Sequence, residues 1–155
     1  KYMYTSETTA EIIHDLILIN NDRIDGYTRA LGNLKDGSDQ DLRSLFEDYI
    51  QQTTQFNHEL NPFAVINGEE TTEGKPISGK LHRFWLDLKA SLSGHDRKSI
   101  LEECERGEDA SKKAYEKAIQ ESPDLPIHIV SIIRNHAQKQ KAAHDHVRNL
   151  RDAAL

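Results

Sequence analysis

Four stretches of this chain repeat apolar side chains at helical spacing, with few helix breakers inside any of them. Ile13, Ile17, Asn20, Ile24, Tyr27, Leu31 and Leu34 follow one another at alternating steps of four and three. That period lines up one stripe of an α-helix, whereas a half-buried strand would alternate every second residue. Thr8-x-x-Glu11 is placed to form a capping box, so the first helix is predicted to start near Thr8. "KDGSD" breaks the pattern, and Ser38 or Asp39 is positioned to cap the next helix. Its stripe is Leu42, Leu45, Tyr49, Gln52, Phe56 and Leu60.

After Pro62, "NGEETTEGKP" reads as a polar linker. Ser78 to Leu92 is predicted as a shorter helix, with Leu81, Trp85, Leu88 and Leu92 in register. "SGHD" interrupts it, and Asp96 is a natural N-cap for a long helix reaching about Gln120. That helix carries Leu101, Cys104, Glu108, Ser111, Tyr115 and Ala118 on one stripe. "SPDLP" ends it, and Pro126 suits the first turn of a last helix bearing Ile129, Ile133, His136, Gln140, Ala143, Val147 and Leu150. Four helices of roughly 25 residues, each about 38 Å long, form one bundle. The short helix and its linker lie between the second and third. If they simply extended the third helix, that rod would overshoot its partners. The prediction is therefore an all-α, ferritin-like four-helix bundle with one long crossover carrying a short extra helix, a single domain over residues 1–155, with a plain up-down bundle bearing a surface helix as the alternative.

Composition agrees. Apolar residues are 36% of the 155 and charged residues 30%, which suits helices that bury one stripe and solvate the rest. The net charge of −6 argues against a nucleic-acid scaffold. No apolar run is long enough to span a bilayer, and a cytoplasmic setting is expected. Cys104 is the only cysteine, which excludes an internal disulfide and a thiolate metal cluster.

Each stripe turns polar near its midpoint. The first has Asn20, with Asp22 and Asp25 beside it; the second has Gln52 and, a turn on, Gln55; the third has Glu108; the fourth has Gln140, flanked by His136 and His144. Helices of similar length bring their midpoints to similar heights. The expected result is a polar core layer of Asn20, Gln52, Gln55, Glu108, Gln140 and His144. A buried carboxylate there must take up a proton or find a cation. Di-iron bundles meet that need with inward carboxylates and two Glu-x-x-His motifs. At the corresponding position this chain has Gln52-x-x-Gln55, and Lys141 stands three residues before His144. Neutral amides and an ammonium make poor company for iron. A mononuclear iron or manganese site from Asp25, Glu108 and His144 is the alternative to a structural hydrogen-bond layer without any cofactor.

"SGKLHRFWLDLKASLSGHDRKSILEECERGEDASKKAYEKAI", "AHDHVRNLRD" and "LILINNDRIDGYTRAL" resemble an uncharacterised family of bacterial four-helix-bundle proteins in the ferritin-like superfamily. The resemblance implies a ferritin-like bundle with a crossover and implies no reaction, because that family is labelled a domain of unknown function. No nucleophile–base set and no Gly-rich phosphate loop is legible. The function expected is that of a non-catalytic bundle with a degenerate polar core, acting through its surface or as a homo-oligomer such as a dimer. A metal-binding oxidoreductase or iron-handling protein is the second reading.

Overall fold

The apolar stripes fold as helices whose order and bounds can be followed in a computed structural model, which describes residues 7–35, 37–66, 69–70, 96–120 and 125–154. These form α1 (Glu7–Gly32), α2 (Gln40–Leu60), a 3-10 turn (Asn61–Phe63), β1 (Val65–Ile66), β2 (Glu69–Glu70), α3 (Arg97–Gln120) and α4 (Ile127–Ala153). The short helix predicted over Ser78–Leu92 lies outside the described residues. Part of the predicted polar linker instead pairs as a two-residue antiparallel ladder, Val65 opposite Glu70 and Ile66 opposite Glu69.

The caps fall close to expectation. Asp96 precedes α3 and its Oδ2 accepts the Ser99 backbone N–H at 3.2 Å, satisfying one of the first-turn donors. Asp39 is the N-cap of α2, but its carboxylate makes no capping bond. Instead Oδ1 accepts from Arg97 at 3.1 Å and Oδ2 from the Lys35 backbone N–H at 3.4 Å, which ties the α1–α2 turn to the start of α3. α1 is already helical at Glu7, so Thr8 sits inside the helix rather than ahead of it.

Long-range contacts give the helix directions. Arg23 on α1 meets Glu108 on α3, and Asn20 meets Tyr115, so rising numbers on one run against falling numbers on the other. α3 is thus antiparallel to α1. One core cluster joins Leu42, Phe46 and Tyr49 of α2 to Ala143 and Val147 of α4, while Glu59 near the end of α2 meets His136. α2 and α4 are antiparallel as well. It follows that α2 and α3 point the same way, and a tight turn cannot join parallel neighbours. Leu60 at the end of α2 and Arg97 at the start of α3 accordingly lie at opposite ends of this all-α four-helix bundle. Two apolar clusters fill the ends of the core, one around Phe46 and Tyr27 and the other around Leu60 and Ile133. The polar layer lies between them. No described helix is long and apolar enough to cross a membrane.

Candidate functional site

The polar groups buried in the core centre on a residue that the stripe reading passed over. Arg23 of α1 is fully buried, as is Glu108 of α3. The guanidinium grips the carboxylate with two bonds, Nε to Oε1 at 2.5 Å and Nη2 to Oε2 at 3.0 Å. Nη1 donates to Thr53 Oγ1 at 2.6 Å and to Gln52 Oε1 at 3.2 Å, both on α2. Thr53 in turn donates to the Tyr49 carbonyl at 2.6 Å. The Tyr27 and Tyr49 rings lie 5.6 and 5.4 Å from the guanidinium carbon, within cation–π range. Three helices are pinned around one fixed positive charge. Burial by itself would lower the Arg23 pKa, but the Glu108 charge and hydrogen bonds outweigh it and hold the group firmly cationic. The same environment pushes the Tyr49 phenol up to about 12, through burial first and the Glu108 charge second. Burial, aided by Glu108, also raises the Cys104 thiol, leaving an unreactive core residue.

A second set of polar groups runs from the core towards the surface. Asn20 Nδ2 donates to Tyr115 Oη at 2.8 Å and to Asn57 Oδ1 at 3.0 Å. Tyr115 Oη lies 3.4 Å from His136 Nδ1, and His136 Nε2 lies 2.6 Å from Glu59 Oε1. A neutral ring satisfies both ends: Nδ1 accepts from the Tyr115 hydroxyl and Nε2–H donates to the carboxylate. Phe56 stacks on the imidazole with ring centroids 4.1 Å apart. Glu59 is the exposed end and lines an open groove of about 530 Å³ with His58, Pro62, Phe63, Ser131, Ile132 and Asn135. Gln140 is fully buried, with its side-chain amide beside the Tyr115 hydroxyl.

This relay makes a pH prediction. Burial lowers the His136 pKa below its ordinary 6.5, against the opposing pull of Glu59, and the His136 bond lowers the pKa of Glu59 below 4.5. A histidine with a depressed folded pKa binds fewer protons folded than unfolded. Its contribution to stability is therefore complete above 6.5 and declines as pH falls below it. The Glu59 contribution has the same sign but is lost at lower pH, below 4.5. Urea unfolding of wild type and His136→Phe between pH 7.5 and 5 should show the wild type losing stability more steeply than the variant. Parallel curves would contradict the assignment.

The other predicted site residues are dispersed. Gln52 is half-buried and serves Arg23, whereas Gln55 is exposed and donates to Glu59 at 3.4 Å. Asp25 is exposed, and Asp25, Glu108 and His144 do not form one cluster. His144 faces the α3–α4 seam instead, with Nε2 2.8 Å from Asp109 Oδ1 and 3.7 Å from Glu105 Oε1. Asp145 Oδ1 lies 3.1 Å from its Nδ1. The sequence signals that would have found these features are an Asn20–Arg23–Tyr27 stripe one step round from the one chosen, and the Glu105/Asp109 pair at i,i+4 on the flank of α3.

A family model described as "Domain of unknown function (DUF2383)" matches residues 8–121. The chain belongs to the DUF2383 family. In this DUF2383 chain the match covers α1 to α3, with Arg23, Gln52, Thr53 and Glu108, and stops short of α4, which supplies His136, Gln140 and His144. No curated protein and no solved structure matches the chain.

Proposed function

We propose that this DUF2383 chain is a non-catalytic helical bundle that holds its own cation, the Arg23 guanidinium, where a ferritin-like metal protein would hold ions. It acts through its surface, alone or as a small homo-oligomer. One observation carries the reading: both Glu108 oxygens are committed to Arg23, and the same guanidinium uses Gln52 and Thr53. A metal at Glu108 would have to displace a covalently attached cation that is already charge-matched and hydrogen-bonded. The remaining inward groups are amides, hydroxyls, phenols and the His136 imidazole, whose two nitrogens already face Tyr115 and Glu59, a weak donor set for two divalent ions. The core residues therefore do not fit an iron or manganese cofactor, and no redox step is assigned to them.

The test is to locate any metal. Crystals of protein loaded with excess Fe(II) or Mn(II) should show no anomalous peak within bonding distance of Glu108. A core peak there, with Arg23 swung away, would overturn the proposal in favour of an iron-handling or oxidoreductase bundle.

A further inference from the structure

Outside the core, one group of three metal-ligating side chains comes together among the described residues: Glu105, Asp109 and His144, whose ligand atoms all lie within 4.8 Å of one another. Glu105 and Asp109 are four apart on α3, so their carboxylates share one flank, and His144 approaches from α4. The His144 Nε2 separations of 2.8 and 3.7 Å bracket the spacing of roughly 3.0–3.4 Å expected between ligands on an ion with bonds of about 2.1 Å.

His144 itself supplies the independent pointer to a ligand. The residue is only 9% exposed, and carboxylates face both of its ring nitrogens. A neutral imidazole has one N–H. If Nδ1–H donates to Asp145, the Nε2 lone pair points between two carboxylates with no donor to meet it. Such an arrangement is completed by a proton or by a metal ion. Asp145 is held in place by Lys141 at 2.7 Å, with Arg148 at 3.8 Å. It plays the part of the outer carboxylate that orients a ligating histidine and makes it a stronger donor. Arg151 engages Glu105 Oε2 and leaves Oε1 on the His144 side. Asp109 is 48% exposed, so water can reach the position to complete the coordination shell.

We infer that Glu105, Asp109 and His144 form a binding site for a divalent first-row transition ion, with Asp145 as the orienting partner, clamping α3 to α4. Two carboxylates and one imidazole favour Mn²⁺, Fe²⁺ or Zn²⁺ over Ca²⁺. The site is separate from Arg23 and Glu108 and does not depend on the proposed function. The ion competes with a proton for Nε2, so affinity should rise with pH.

Calorimetric titration of the full chain with Zn²⁺, and in parallel with Mn²⁺, should give one ion per chain and a raised melting temperature. Asp109→Asn alters a half-exposed side chain and should leave the fold intact while lowering affinity at least tenfold. His144→Gln should abolish site binding, and Asp145→Asn should weaken it by about 10- to 100-fold, as loss of an outer-shell partner does. Unchanged Zn²⁺ and Mn²⁺ binding in both Asp109→Asn and His144→Gln, or no binding of either ion by the wild type at pH 7.5, would overturn the inference.

Discussion

Glu108→Leu is expected to lower the free energy of unfolding by about 3–5 kcal/mol, although leucine is apolar and of similar bulk. The cost comes from what is left behind. Arg23 is fully buried at the middle of α1. Without Glu108 its charge keeps, among the described residues, Gln52, Thr53 and two aromatic faces as partners. Neutral oxygens do not repay the desolvation of a full positive charge. In urea denaturation the midpoint should fall with little change in slope, because the surface exposed on unfolding is nearly the same. A loss below about 1 kcal/mol would mean that the guanidinium finds water in the variant, and that the layer is looser than described.

Phe56→Ala should cost a similar amount, about 3–5 kcal/mol, for a different reason. Phe56 is 1% exposed and stacks on His136, closing the relay between Tyr115 and Glu59. Its removal leaves a cavity and opens a path for water to the imidazole. Burial is the largest cause of the depressed His136 pKa, so that pKa should climb back toward 6.5 in the variant. NMR titration of the His136 ring protons in both proteins checks this second effect apart from stability. An unchanged titration midpoint would show that Phe56 does not govern the solvation of His136.

The residues show where sequence reading is strong. The stripes of α3 and α4 were legible nearly residue by residue: Leu101 to Ala118 and Ile129 to Val147 are buried as their spacing demands. In those helices the buried polar residues interrupt long apolar runs and cannot be mistaken for a solvated face. α1 and α2 were harder, because apolar residues flank the true stripe on both sides. Leu45 and Gln52 are half-buried, while Phe46 and Thr53 face the core. On α1 the buried line runs through Asn20, Arg23, Tyr27 and Ala30, leaving Ile17, Ile24 and Leu31 partly covered. An arginine is rarely buried unless paired, and its partner Glu108 is 85 residues away in sequence. Local periodicity carries no information about that pairing. The sequence did announce that a buried Glu108 needed a proton or a cation; only the packing of α1 against α3 supplies the Arg23 guanidinium. Similarly, His144 stood out in sequence, but its company of Glu105 and Asp109 depends on how α4 sits against α3.

The central claim is that the core cation is Arg23, matched to Glu108 as a unit. A double-mutant cycle over Arg23→Met and Glu108→Leu tests it most directly. The account predicts that each single variant loses several kcal/mol, while the double variant folds with stability within about 1–2 kcal/mol of wild type, since an apolar pair replaces a matched ion pair. A double variant that loses the sum of the two single effects would contradict it, because Arg23 and Glu108 would then be stabilised independently of each other.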